Sequence, residues 1–294
     1  MYDVAIIGGG PAGMTAGLYA KRAGLSAIIF EGDAFGGQIV NSHMVDNYPG
    51  LPHISGFDLA DRFFKQMAEF DIEVVRRRVI SLELTGKEKI IKTKKDEYRA
   101  KNVILATGAA PRKLGIPGEE KYTGMGISYC ATCDGAFYKD KVAAVVGGGN
   151  TALDDAIYLA NFAKKVYLIH RREKFRGNPS TLEKIKKNEK IEIIAPNEVT
   201  ALCGEDFLTG IILKDERSLK TDGLFIAIGN EPRNELFKDT VALTEDGYIL
   251  VDERMKTNLD GVYAAGDVVN KKLRQVITAQ NDGAVALSGI MEEL

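Results

Sequence analysis

Val4-Ala5-Ile6-Ile7 runs directly into Gly8-Gly9-Gly10-Pro11-Ala12-Gly13, an apolar, β-branched segment followed by a glycine turn. Beyond it Ala12, Ala16, Ala20 and Ala23 recur near one face of a helical pattern that Gly24 closes, and a second apolar run, Ala27-Ile28-Ile29-Phe30, ends at Glu31. Strand, glycine turn, helix, strand, acid is the order of a dinucleotide-binding unit. Gly8 permits the tight turn, Gly10 lets backbone approach a pyrophosphate, and Gly13 lets the helix pack against the strand. The helix N-terminus, with Pro11 and Ala12, offers unpaired N–H groups to the phosphates, and Glu31 can accept hydrogen bonds from ribose hydroxyls. A GxGxxG turn alone is a weak signal. Its place between strand and helix, with an acid at the right distance, makes it a strong one.

The pattern recurs. Val142-Ala143-Ala144-Val145-Val146 precedes Gly147-Gly148-Gly149-Asn150-Thr151-Ala152, the GxGxxA variant; a helix is expected from about Ala152 to Phe162, then a strand at Val166-Tyr167-Leu168-Ile169. Glu31 lies 23 positions after Gly8, and His170 lies 23 positions after Gly147. The register is equal and the chemistry opposite, because His170-Arg171-Arg172, with Arg176 a turn later, stands where the first copy has an acid. An acid suits free ribose hydroxyls and repels a 2′-phosphate, whereas arginines bind that phosphate by charge-assisted, often bidentate bonds. The first site therefore reads as FAD (or NAD) and the second as NADPH. The bland alternative is a solvated basic turn, which does not account for the shared register.

The duplication extends further. Ile104-Leu105-Ala106-Thr107-Gly108-Ala109-Ala110-Pro111-Arg112 parallels Phe225-Ile226-Ala227-Ile228-Gly229-Asn230-Glu231-Pro232-Arg233. Each is an apolar strand ending in glycine, with proline and arginine three and four residues on, suited to carry the chain between domains. The fold expected is α/β, two Rossmann-like three-layer nucleotide-binding domains with the NADPH domain inserted into the FAD domain: 1–112, then 113–238, then a return over 239–294. In the return, Leu259-Asp260-Gly261-Val262-Tyr263-Ala264-Ala265-Gly266-Asp267 is a strand ending in Gly-Asp; Asp267 can bond a flavin's ribityl chain while Gly266 allows close approach.

Between the two fingerprints lies Ile127-Ser128-Tyr129-Cys130-Ala131-Thr132-Cys133-Asp134-Gly135. Two intervening residues let Cys130 and Cys133 close a short disulfide ring, and such motifs lower a thiol pKa and make exchange reversible. Asp134 can exchange the thiol proton. The chain has three cysteines and three histidines, which leaves a four-ligand zinc site short of partners; no metal is expected. The odd, sparse cysteine count points to a reducing cytoplasm and away from a disulfide-stapled secreted scaffold. With 294 residues, 45% hydrophobic, 27% charged and a formal net charge of −2, the chain accommodates two domains and gives no support for nucleic-acid or membrane-surface binding. No apolar run approaches a membrane span, and the N-terminus lacks the basic region of a signal peptide.

Cys130-Ala131-Thr132-Cys133-Asp134-Gly135, the two glycine fingerprints, His170-Arg171-Arg172 with Phe175-Arg176, and Ala264-Ala265-Gly266-Asp267-Val268 together resemble the bacterial-type low-molecular-weight thioredoxin reductases over essentially the whole chain. The resemblance implies that Cys133 faces the flavin, that Cys130 attacks the disulfide of thioredoxin or a similar small redoxin, and that Asp134 is the general acid. It also implies that Gly36, Gly37, Gln38, Asn47, Arg274 and Gln275 line FAD, and that the enzyme is a homodimer with a large domain rotation. Ala106, Thr107 and Gly108 fall in the FAD site on this reading, as Gly149, Asn150, Thr151, Ile228 and Gly229 fall in the NADPH site. Val276 stands where alanine is usual, and Gly177-Asn178-Pro179 stands where the family more often continues with helix formers. Electron transfer to another redoxin, or a ferredoxin–NADP reductase-like flavoenzyme that needs no dithiol, are the alternatives. A peroxide-reducing flavoprotein with extra N-terminal redoxin domains is not expected, because the chain starts at the FAD fingerprint. Cys203 reads as an inert buried thiol, His43 and His53 as surface or loop residues, and Lys92–Glu97 as a solvated hairpin turn.

Overall fold

Each glycine turn lies where a parallel strand hands the chain to a helix. In the computed structural model, which describes residues 1–42 and 44–294, the chain divides into two compact units, Met1–Ala110 with Glu231–Leu294, and Pro111–Asn230. The sequence placed these limits at 112 and 238. His43 lies outside the described residues.

In the first unit Glu73–Val75, Ala27–Phe30, Tyr2–Ile7 and Glu97–Leu105 form a parallel sheet in that spatial order. The long strand Glu97–Leu105 shares its outer edge between two partners. Lys89–Thr93 pairs antiparallel with its first half and Val262–Ala264 parallel with its second, so the returning segment completes the sheet begun at the N-terminus. The turn between Thr93 and Glu97 is the charged hairpin expected there. Alternate residues enter two cores: Val4, Ile6 and Ile104 on one face, Ala5, Ile7 and Leu105 on the other. Burial on both faces is why these strands read as unbroken apolar runs rather than alternating ones.

The first helix, Pro11–Arg22, takes Pro11 in its first turn and ends before Gly24, whose φ of +76° suits the left-handed residue that closes a helix. Its small-residue face packs against Val276–Glu292, a C-terminal helix. A Cβ at Gly283 would stand 2.2 Å from the Ala12 carbonyl oxygen, so the backbones touch there.

The second unit repeats the plan. Ile191–Ile194, Lys165–Ile169, Val142–Val146, Gly223–Ile226 and Ile127–Ser128 form a parallel sheet in that order. Its fifth strand comes from before the glycine turn, whereas the strand in the corresponding place of the first unit, Val262–Ala264, comes from the chain's return. The helix after the second turn spans Asn150–Ala160, starting two residues earlier than expected because Gly149 serves as its N-cap. A three-stranded antiparallel sheet, Val199–Gly204, Leu208–Leu213 and Ser218–Lys220, covers one side. The two crossings, Ala109–Pro111 and Asn230–Pro232, pair as a two-stranded ribbon.

Candidate functional site

The two glycine turns are built by the same contacts. Gly8 N donates to Phe30 O at 2.9 Å and Gly147 N to Ile169 O at 3.0 Å; Ala106 N donates to Ile7 O at 2.8 Å and Ala227 N to Val146 O at 2.9 Å. A Cβ on Gly8 would lie 2.2 Å from Ala106 O, and one on Gly147 2.3 Å from Ala227 O. With φ of +117° and +155° both positions demand glycine twice over. Gly10 and Gly149 differ from these, since a Cβ there would meet nothing within 4 Å. Protein packing does not require glycine at those two positions, and the open space there fits the close approach of a phosphate.

In the first unit the candidate FAD residues come together from distant parts of the chain. Glu31 accepts from Gly9 N at 2.7 Å and from Asp33 N at 2.8 Å, which ties the turn to the strand end and leaves lone pairs for ribose hydroxyls. Gly36 N donates to Gly9 O, and a Cβ on Gly37 would stand 3.4 Å from Gly10 Cα. Asn47 Nδ2 donates to Gln275 Oε1 at 2.9 Å across 228 positions. Thr107 Oγ1 donates to Arg233 O at 2.6 Å. Arg274 donates to the Asp267 and Val269 carbonyls and lies 4.1 Å above the Tyr248 ring. Asp267 follows the fifth strand, and its Oδ1 is buried without a hydrogen-bond donor. Burial pushes the Asp267 carboxyl above the ordinary range, against the pull of Lys271 and Arg274. Lys271, 3.8 Å from Asp267 Oδ1, is paired at 2.6 Å with buried Asp282, which also accepts from Gly266 N. A buried, undonated carboxylate oxygen beside a glycine cradle fits a ligand carrying hydroxyl groups.

In the second unit Gly148 carries the ring of His170 over its Cα, for a Cβ there would come 2.2 Å from the imidazole. His170 is buried, stacks on Phe175 at 4.8 Å and has no partner for Nε2; burial lowers its pKa, as do Arg176, Arg171 and Arg172. The three arginines stand exposed around it. Arg176 N and Gly177 N both donate to Gly148 O, and Asn178 N donates to Asn150 Oδ1. Gly177-Asn178-Pro179 thus locks the loop onto the glycine turn. Asn178 caps a new helix, Pro179–Lys186, so helix formation resumes just after the departure from the family pattern.

Cys130 and Cys133 form a disulfide with Cα atoms 5.3 Å apart. Cys130 is the N-cap of the single turn Ala131–Asp134. Because Ile127–Ser128 and Val142–Val146 flank Gly223–Ile226 in parallel register, the dithiol leaves the same carboxyl edge of the sheet as the Gly147 turn. Two strand spacings, about 10 Å, separate the two strands. Ligands of open parallel sheets bind at that edge. Buried Glu119 accepts from Leu114 N, Gly115 N and Tyr129 Oη, joining the entering crossover to the residue before Cys130. Cys203 is a free thiol on Val199–Gly204, half-buried rather than buried. His53 is exposed and pairs with Asp46. Among the described residues no group of histidine, cysteine and acidic side chains could hold a metal, and no helix is long and apolar enough to cross a membrane.

Residues 2–283 match the family model described as pyridine nucleotide-disulphide oxidoreductase. The chain belongs to that family. It is 45% identical to thioredoxin reductase of Peptoclostridium acidaminophilum, over 97% of this chain and 95% of that protein. It is 40% identical to thioredoxin reductase of Bacillus subtilis (strain 168), over 100% of this chain and 96% of that protein. The crystal structure of thioredoxin reductase from Streptococcus pyogenes MGAS5005 superposes with a TM-score of 0.94 at 42% identity, covering 99% of this chain and 97% of that one.

One acid near the dithiol of this pyridine nucleotide-disulphide oxidoreductase holds its proton unusually tightly. Asp155 lies on Asn150–Ala160, the helix that packs against Ala131–Asp134. Burial, and then Asp154, push its carboxyl from 3.8 up to about 7. The folded state therefore holds this proton more tightly than the unfolded chain. Ionising Asp155 opposes folding: the cost is absent below about pH 4, grows between about pH 4 and 7, and is complete above. Asp155→Asn should raise stability at pH 8 by up to about 4 kcal/mol and leave it nearly unchanged at pH 4, as urea midpoints at the two pH values would register. Nothing in the sequence marked Asp155, because a helical aspartate next to a second one reads as solvated.

Proposed function

We propose that the protein is a thioredoxin-disulfide reductase that moves electrons from NADPH through FAD to the Cys130–Cys133 disulfide and on to thioredoxin. The observation that carries this reading is the joint placement of the dithiol and the Gly147 turn at one edge of one sheet. The family's defining chemistry and the activity for which its near relatives are named support it.

In the first unit Gly8, Gly10, Pro11, Ala12 and Gly13 hold the FAD pyrophosphate, Glu31 the ribose, and Asp267 the ribityl chain; Gly37, Gln38, Asn47, Ala106, Thr107, Gly108, Gly266, Arg274 and Gln275 complete the wall. In the second, Gly147, Gly149, Asn150, Thr151, Ile228 and Gly229 hold NADPH, and His170, Arg171, Arg172 and Arg176 read its 2′-phosphate. FAD held there would supply two-electron redox chemistry between a nicotinamide hydride and a disulfide. Reducing the Cys130–Cys133 bond would take two electrons and leave two thiolates: Cys133, the flavin-facing sulfur, would receive the incoming pair, Cys130 would keep the pair of the broken bond, and Asp134 would supply a proton to one of the two. Cys130 then attacks one sulfur of the thioredoxin disulfide. Cys133 displaces the mixed disulfide, which restores the Cys130–Cys133 bond and releases dithiol thioredoxin. Since the dithiol and the nicotinamide belong to the unit 111–230, they serve the flavin in turn, by rotation at the two crossings. The protein acts as a homodimer in the reducing cytoplasm, where sparse cysteines suit it.

The purified protein should show a bound-flavin spectrum and oxidise NADPH with oxidised thioredoxin over many turnovers. A colourless protein, or NADPH oxidation indifferent to every redoxin and disulfide offered, would overturn the reading; the latter would point to a ferredoxin–NADP reductase-like flavoenzyme.

A further inference from the structure

We propose that Ser128 is a positioning residue of the dithiol reaction, whose hydroxyl holds the Asp134 carboxylate and the Cys130 backbone together. The inference rests on the reading of Asp134 as the proton carrier and assigns that residue a partner.

Ser128 ends the two-residue strand Ile127–Ser128, which is fixed in register against Phe225, and is only 5% exposed. Its Oγ makes three contacts: it accepts from Cys130 N at 3.1 Å, and lies 2.6 Å from Asp134 Oδ2 and 3.3 Å from Cys130 O. One hydroxyl has one proton. The 2.6 Å contact is the charge-assisted one and takes that proton, so Ser128 donates to Asp134. Asp134 N in turn donates to Cys130 O at 3.1 Å. Strand end, N-cap cysteine and acid are thereby closed into one ring, and committing Oδ2 to Ser128 fixes the orientation of the whole carboxylate relative to the sulfurs.

The bond has a chemical consequence besides a geometric one. A donor to a carboxylate stabilises its ionised form. Without it Asp134 keeps its proton to higher pH, and its carboxylate can turn away. The other ionisable groups close by are the two cysteines, Tyr138 on the 3₁₀ turn Gly135–Tyr138, which interacts with both Asp134 and Asp222, and, on the helix Asn150–Ala160 that packs against Ala131–Asp134, Asp154, Asp155 and Tyr158. Because Asp155 has a pKa of about 7, a pH profile alone could mix two acids. A double-mutant comparison separates them.

The test is the pH profile of kcat/KM for thioredoxin disulfide between about pH 5 and 10, measured on holoenzyme with wild-type flavin content per chain. The set is wild type, Ser128→Ala, Ser128→Thr, Asp134→Asn and Ser128→Ala/Asp134→Asn. In Ser128→Ala the limb assigned to Asp134 should move up by about one pH unit and the plateau fall about tenfold. Ser128→Thr should restore both. Asp134→Asn should remove the limb, and adding Ser128→Ala to it should change nothing further. A limb that Asp134→Asn removes but Ser128→Ala does not move would overturn the proposal alone, as would an equal Ser128→Ala loss in both backgrounds. A limb unmoved by Asp134→Asn would overturn the proposal together with the role of Asp134.

Discussion

Cys133→Ser should lower thioredoxin-dependent NADPH oxidation by about 10³-fold or more, while the protein still binds FAD and its flavin is still bleached by NADPH. The reason is electron bookkeeping at the sulfurs. Cys130 and Cys133 are joined as a disulfide, and a single remaining thiol cannot store the pair of electrons that breaking that bond accepts. Cys130→Ser should fail at a different step, because it removes the nucleophile that attacks thioredoxin, whereas Cys133→Ser leaves the nucleophile but not the thiol that resolves the mixed disulfide. The two variants should therefore separate on mixing with oxidised thioredoxin: Cys133→Ser traps a covalent complex through Cys130, visible on a non-reducing gel, and Cys130→Ser does not. Persistent turnover of Cys133→Ser with the natural acceptor would transfer the chemistry to a flavoenzyme without a dithiol.

Arg171→Ala/Arg172→Ala should reduce kcat/KM for NADPH by about 10²–10³-fold and leave that for NADH nearly untouched, since each charge-assisted bond to a phosphate contributes about 1.5–3 kcal/mol. Both guanidiniums are exposed at the end of Lys165–Ile169, beside His170. The loop is held independently of them, because Arg176 N and Gly177 N bond Gly148 O through the backbone. Truncating two side chains should thus remove phosphate recognition without dismantling the turn. The discriminating quantity is the NADPH-to-NADH ratio of kcat/KM. A variant that lost both cofactors equally would place the arginines in the architecture of the turn rather than in specificity.

Much of this was written locally. The glycine turns, the apolar strands before them and the 23-residue register each depend on a few neighbouring residues, and the shared backbone bonds of Gly8 N to Phe30 O and Gly147 N to Ile169 O, one residue before Glu31 and His170, give that register its physical basis. What the sequence did not disclose depends on partners far along the chain. Val276–Glu292 carries no plain amphipathic stripe, because its inward face is built of small residues such as Ala279, Gly283 and Ala286. These have meaning only against the close-packed face of Pro11–Arg22. Ile127–Ser128 is too short to show a strand period, yet it places the dithiol at the edge of the sheet. Ser128, Glu119, Lys271 and Asp282 are polar residues of ordinary appearance. Each becomes a site element only when burial and a partner are known. The start of the second nucleotide helix moved from Ala152 to Asn150 for a similar reason: a glycine N-cap has no side-chain signature.

The most direct test of the central claim is an anaerobic reductive titration of the purified holoenzyme, following flavin bleaching and free thiols together. If electrons pass through flavin into the Cys130–Cys133 disulfide, full reduction takes about four electrons per flavin, two for the flavin and two for the disulfide, and releases two thiols. Complete bleaching after about two electrons, with the disulfide intact, would contradict the account.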